Sequence, residues 1–185
     1  MVRRLLALSG SLRAVSINSA LLRAAARLAP PGIEVPWCPG LGELPLFNPD
    51  LEAAPPAAVQ QFRERVTQAD ALLIASPEYA HGMTGTIKNA LDWLVSFEPF
   101  AGKPVAVINA SPRAHHADAA LREVLLTMAA RIVEPASITL PLVGAGLDEE
   151  DMMQTPAITV PLRAALQALA EAAQGPGTSE AAHRL

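Results

Sequence analysis

The chain has 185 residues, 51% of them apolar and 17% charged, with a formal net charge of −4. These values fit one folded domain with a buried core and exclude a disordered chain. The acidic balance, with no basic run, argues against a nucleic-acid partner, and a single cysteine excludes an intrachain disulfide or a cysteine-ligated cluster.

The start, Met1-Val2-Arg3-Arg4, leads into an apolar run that ends at Ser9, too short for a signal-peptide core. No stretch reaches the length of a membrane span. A cytoplasmic protein without a membrane partner is the expectation.

The apolar run at residues 2–8 predicts a buried strand. Ala20, Leu21, Ala24, Ala25 and Leu28 recur at helical spacing and predict a helix over 17–28, stopped by Pro30-Pro31-Gly32. Between the two lies Ser9-Gly10-Ser11-Leu12-Arg13-Ala14-Val15-Ser16-Ile17-Asn18-Ser19. Such a turn is a good seat for a phosphate. Free N–H groups and the helix dipole face the anion, Gly10 allows a left-handed backbone, and Arg13 offers a guanidinium fork. The same residues also read as an ordinary capped helix with Ser16 as N-cap.

Residues 33–37 predict a short second strand. Residues 38–56, rich in proline and glycine, predict a long ordered loop, which suits a partner subunit or folds over its own core. A helix is expected over 57–68 and a buried strand over 69–76. A second turn follows, Pro77-Glu78-Tyr79-Ala80-His81-Gly82-Met83-Thr84-Gly85, leading into a helix over 86–95. A fourth strand over 104–110 leads to a third turn, Ser111-Pro112-Arg113-Ala114-His115-His116. Leu121, Val124, Leu125 and Met128 then mark the inner face of a helix.

A fifth strand is expected over 136–140. The last helix starts at Pro156 or Pro161, with Leu162, Leu166 and Leu169 inward. Residues 1–174 read as one domain and 175–185 as a frayed tail. Five strands alternating with five helices predict an α/β fold: a doubly wound, five-stranded parallel sheet of flavodoxin-like order, with helices on both faces. Ligands of such sheets sit at the carboxyl ends of the strands, the edge where these three turns fall.

Some residues carry plainer expectations. Cys38, between Trp37 and Pro39, reads as packing. Adjacent His115 and His116 lack an acidic or cysteine partner, so no metal is expected. Lys88 and Asp92, four apart, read as an intrahelical pair.

Two segments resemble a known family. Leu8-Ser9-Gly10-Ser11-Leu12-Arg13, followed by Ser16, Asn18 and Leu21, looks like the phosphate turn of NAD(P)H-dependent FMN reductases. Pro77-Glu78-Tyr79, Gly82 and Lys88-Asn89-Ala90-Leu91-Asp92-Trp93 look like their second signature, and Gly102-Lys103-Pro104-Val105-Ala106 is similar to their fourth strand. The resemblance spans roughly residues 2–140. It implies a flavodoxin-like fold, an FMN cofactor, NAD(P)H as co-substrate, a small-molecule electron acceptor such as a quinone, and a homodimer or homotetramer.

Carried over by position, Ser11, Arg13, Ser16, Asn18 and Ser19 would hold the FMN phosphate. Pro77, Glu78, Tyr79, His81 and Gly82 would line the ring, largely through backbone groups, and Ser111 would close the other side. Gly82 and Gly85 would let the backbone approach the ring. Arg113 would meet a nicotinamide-nucleotide phosphate or be solvated. The chain departs from the family at His81, at Thr84 where proline is common, and in the third turn, which is usually glycine-rich. No catalytic side chain is required, because the flavin carries the hydride chemistry. The resemblance implies an NAD(P)H-dependent reductase with ping-pong kinetics; the alternative is an FMN-binding electron carrier or redox sensor.

Overall fold

The computed structural model describes residues 2–174; the predicted tail lies outside them. The elements run β1 (Arg3–Ser9), α1 (Ile17–Leu28), β2 (Ile33–Glu34), α2 (Ala57–Gln68), β3 (Ala71–Ala75), β4 (Glu78–Tyr79), β5 (Gly82–Met83), α3 (Gly85–Asp92), β6 (Pro104–Val107), α4 (His115–Thr127), β7 (Arg131–Ile132), α5 (Glu149–Gln154) and α6 (Pro156–Ala172). The main sheet is parallel in the order β2-β1-β3-β6-β7. β4 and β5 form a separate antiparallel hairpin.

Successive residues of a strand face opposite sides, and both sides here are apolar. On β1, Leu5 and Ala7 join a core with α1 and α6, whereas Leu6 and Leu8 join a core with α2, α3 and α4. The first face is built from small residues, with Ala71, Ala75 and Ala106 of the sheet buried in the same cluster as Ala20, Ala24 and Ala25 of α1. Small side chains let helix and sheet approach closely. The second face carries the bulk, including Trp93, Phe62 and Phe100.

The loop between β2 and α2 folds mostly over its own core. Leu41 and Leu44 are buried, and the Phe47 ring packs edge-on against Trp93 at 5.1 Å, leaving Leu46 exposed. Trp93 Nε1 donates to the Pro45 carbonyl at 2.8 Å, and Asn89 accepts from Phe47 N at 2.9 Å. Cys38, at the start of this loop, is buried, and burial pushes its thiol up to about 11. It packs, as its neighbours implied. Lys88 and Asp92 form the intrahelical pair, at 2.5 Å.

Three strand expectations need correction. β6 ends at Val107 rather than at residue 110, with only the Asn109–Thr139 bridge beyond it. β2 stops at Glu34 because Pro36 has no N–H to give the ladder; beyond it a single bridge joins Ala7 and Trp37. The fifth strand is β7 at Arg131–Ile132, not 136–140. Glu134-Pro135-Ala136 form a turn of 3-10 helix that breaks the strand, and pairing resumes only at the Asn109–Thr139 bridge. The gap is patched by a side chain, since Ser137 Oγ accepts from Val107 N at 3.1 Å.

α5 is an additional helix, so the helices number six among the described residues. It starts in a reciprocal cap: Asp148 accepts from Asp151 N at 2.9 Å, and Asp151 accepts from Asp148 N at 3.1 Å. Arg23 and Arg27 of α1 hold its first turn through Glu149, at 2.7 and 3.3 Å. α6 starts at Pro156, and Pro161 lies inside it.

Candidate functional site

The sheet order reverses direction between β1 and β3, so the turns after β1, β3 and β6 meet at the carboxyl edge. Together with residues 143–146 they wall a cleft of about 860 Å³.

The first turn is braced by its own hydroxyls. Ser9 Oγ lies 2.8 Å from Ser19 Oγ and accepts from Ser11 N at 3.2 Å; Ser16 Oγ accepts from Ser19 N at 3.3 Å as the N-cap of α1. The N–H groups of Ile17 and Asn18 have no acceptor among the described residues, as expected at a helix start. The Asn18 side chain is 4% exposed, and its Oδ1 has no partner. A buried polar atom without a partner is costly unless a ligand or water supplies one. Arg13 makes no ion pair with any described residue. Free N–H groups, a free guanidinium and an unmatched amide fit an anionic ligand that also carries hydroxyls.

Gly10 serves a different purpose from the one its conformational freedom implied. Its φ is not positive. A Cβ there would lie 2.2 Å from Ser76 Oγ and 2.8 Å from Ile87 Cγ1, so glycine lets the first turn sit directly against the second.

The second turn is the β4–β5 hairpin, and Ala80 and His81 are its two-residue loop, with φ of 49° and 58°. Positive φ at both loop residues is the type I′ pattern, which matches strand twist but favours Asn-Gly. Alanine at the first position does not suit it. Ala80→Asn is therefore expected to stabilise the fold by about 1 kcal/mol, a rise of ~2–4 °C in the thermal midpoint; an unchanged or lower midpoint would show that the loop carries no strain.

The hairpin is fastened to the start of α4. Glu78 Oε2 accepts from Ala117 N at 2.9 Å, and the His81 ring stacks on His116 at 4.4 Å. The Ala117 N–H favours the ionised carboxylate and holds Glu78 below the usual carboxylate range, with His116 and His81 assisting and partial burial opposing. Because the folded value lies below the unfolded one, the stabilisation is present above the ordinary value of 4.5 and is lost as pH falls through the folded value. Thermal melts of Glu78→Gln should lose less stability than the native chain on acidification below that range. Parallel curves for the two proteins would remove Glu78 as an acid-sensitive fastening.

Asn109 shapes the third turn: its Oδ1 accepts from Ser111 N at 2.9 Å, and its Nδ2 donates to the Ala114 carbonyl at 3.2 Å. Ser111 Oγ accepts from Arg113 N at 3.3 Å. Asparagine thus holds a tight turn in a segment without glycine.

Of the residues singled out in the sequence, Ser11, Arg13, Ser16, Asn18, Pro77, Glu78, Tyr79 and Ser111 line the cleft. Three do not. Ser19 stands behind the first turn, bonded to Ser9. His81 lies at the hairpin tip against α4, and Gly82 is outside the wall, where a Cβ would meet only the Tyr79 carbonyl at 3.8 Å. Gly85 likewise has open space around it. Neither glycine is needed for contact between protein segments, since no protein atom lies closer than 3.8 Å to either Cβ position. Asn109, Ser76 and the Val143–Gly146 segment are wall residues that sequence reasoning missed. The polar Asn109 ending an apolar strand, and the spaced glycines Gly144 and Gly146, were the available signals. Among the described residues no cluster of His, Cys, Asp or Glu suits a metal ion.

The model of the NADPH-dependent FMN reductase family matches residues 3–143. The chain belongs to that family. Among individual relatives, an NAD(P)H-dependent FMN reductase from Pseudomonas aeruginosa is 46% identical over 58% of this chain and 60% of its own length. A quinone reductase from Escherichia coli is 39% identical over 56% of this chain and 57% of its own length. The matches thus span under two thirds of these relatives. A solved structure of FerB, a flavoenzyme NAD(P)H:(acceptor) oxidoreductase from Paracoccus denitrificans, is 28% identical with a TM-score of 0.79, covering 94% of this chain and 98% of that one. The family match includes all three turns and ends at Val143, so this member's fourth wall, Val143–Gly146, lies almost wholly beyond it.

Proposed function

We propose that the chain is an NAD(P)H-dependent flavin oxidoreductase that holds FMN in the three-turn cleft. It passes reducing equivalents from NAD(P)H to FMN, quinones or similar small acceptors in a ping-pong sequence. The observation that carries this reading is the convergence on one cleft of an unpaired Arg13, unmatched Ile17 and Asn18 N–H groups and the partnerless Asn18 amide. The reductase names of the relatives support the same reading.

Arg13 and the α1 N-terminus bind the phosphate, with Ser11, Ser16 and Asn18 contributing side chains and Ser19 bracing them. Asn18 also meets the hydroxyls of the polyol. Pro77, Glu78 and Tyr79 form one wall for the ring and Ser111 the opposite one, while His81 and Gly82 act through the hairpin's attachment to α4. FMN, when bound, accepts and donates hydride equivalents. The chain positions it and keeps one face accessible to donor and acceptor in turn. Association as a homodimer or homotetramer, and a cytoplasmic location, belong to the same proposal. No described helix is long and apolar enough to cross a membrane.

The test is an absorption spectrum of the purified chain with added FMN after desalting, followed by NADPH and a quinone. A retained flavin spectrum that NADPH bleaches, with parallel double-reciprocal lines for the two substrates, is the expected result. A chain that retains no flavin, or intersecting lines, would overturn the cofactor assignment or the kinetic order respectively.

A further inference from the structure

Most arginines of the described chain are occupied. Arg3 faces Asp70, Arg23 and Arg27 face Glu149, and Arg122 holds Asp118 and Glu134. Arg13 and Arg113 have no side-chain partner among the described residues, and both line the cleft; Arg65 and Arg163 also lack one but stand outside it. One site in an acidic chain thus carries two free guanidinium groups on separate turns.

The two are set differently. Arg13 belongs to the turn that feeds α1, whose free helix N–H groups are assigned above to the FMN phosphate. Arg113 belongs to the opposite wall, and its backbone is clamped. Its N–H donates to Ser111 Oγ at 3.3 Å, its carbonyl lies 3.1 Å from His115 Nδ1, and Asn109 ties the turn at Ser111 N and Ala114 O. The nearby carboxylates do not compete for it. Glu78 is bonded to Ala117 N, and Asp118 pairs with Arg122 at 2.8 Å. A guanidinium on a fixed turn, unpaired and facing an open cleft, is suited to bidentate capture of a second phosphate.

We infer that Arg113 is a specificity residue for the nicotinamide donor, binding the ribose 2′-phosphate that NADPH carries and NADH lacks. The inference rests on the reductase reading above. FMN has a single phosphate, assigned above to α1 across the cleft, so a second free cation on the opposite wall is left for the co-substrate. The non-glycine composition of the third turn then acquires a purpose, because Ser111, Asn109 and His115 fix the backbone from which Arg113 projects.

The experiment compares the native FMN-saturated chain with Arg113→Ala and Arg113→Lys. Three readouts are taken: kcat/KM for NADPH and NADH, the FMN dissociation constant, and calorimetric titration with adenosine 2′,5′-bisphosphate against AMP. Arg113→Ala should lower kcat/KM for NADPH by ~10-fold or more and leave NADH within about two-fold. It should abolish the preference for the bisphosphate over AMP and leave FMN affinity unchanged, with Arg113→Lys keeping part of the preference. An unmoved NADPH-to-NADH ratio, an equal loss with both donors, or weakened FMN binding would each overturn the assignment, the last by moving Arg113 to the flavin phosphate. A native chain that binds no FMN and oxidises neither donor would instead refute the reductase reading itself, and this inference with it.

Discussion

Gly10→Val should separate the first turn from the second and abolish or sharply weaken FMN binding while leaving a folded chain. The new Cβ alone would lie 2.7 Å from Ser76 Cβ and 2.8 Å from Ile87 Cγ1, and Ile87 is fully buried at the start of α3. Ser76 Oγ, at 2.2 Å, can rotate away, but Ser76 Cβ is fixed to its backbone and Ile87 Cγ1 is held by a stiff χ1 in a packed core. The turn must therefore move, and the γ-methyls of valine enlarge the displacement. Overpacking of this kind costs roughly 1–3 kcal/mol. A displaced turn also carries Ser11 and Arg13 away from the wall made by Pro77 and Tyr79. The expected result is a thermal midpoint lowered by several degrees with at least ~10-fold weaker FMN binding. Gly10→Ala should show the same pattern in smaller measure. A variant with native midpoint and native FMN affinity would mean that the two turns do not need to touch.

Arg13→Ala should weaken FMN binding by roughly 1.5–3 kcal/mol, the range for losing a charge-assisted hydrogen bond. That corresponds to ~10- to ~150-fold in the dissociation constant. The stability of the chain should not change, because Arg13 is exposed and makes no side-chain bond to any described residue. This combination separates a ligand contact from a structural role. Flavin fluorescence titration gives the first quantity and thermal unfolding the second. A lowered midpoint with unaltered FMN affinity would place Arg13 in the scaffold instead.

The parts of the fold that could be read in the sequence are those where one periodicity acts alone. α1 and α2 fall on the predicted residues because apolar spacing and flanking prolines agree at both. β3 is shorter than its apolar run, since Ala69 belongs to the end of α2, its N–H donating to the Val66 carbonyl at 3.3 Å. β7 was misplaced because Pro135 interrupts a chain segment that stays beside β6 on both sides of the break. The hairpin escaped notice because four paired residues are too few to show alternation, and Ala80-His81 carries no turn signature. α5 had a usable signal in Asp148 and Asp151, an acidic capping pair with no apolar stripe to draw attention to it.

The site was legible to a similar depth. Eight of the residues expected at the ligand do line one cleft, brought there by the sheet order. Ser19, His81 and Gly82 are not among the residues that line it, a distinction that spacing along the chain cannot make. Asn109 was invisible as a functional residue because its task is to pin backbone, and a polar residue at a strand end has many uses.

The two outermost strands bear on how copies of this chain can meet. β2 and β7 contribute two residues each to the ladder, and each is followed within three residues by a proline, Pro36 or Pro135. A strand from another molecule would find neither a long row of open backbone donors nor a straight segment to follow. Intermolecular sheet extension, and the fibrillar assembly that grows from it, is thus disfavoured at both margins. The margins of the main sheet direct contact between copies toward side-chain surfaces on helices and loops.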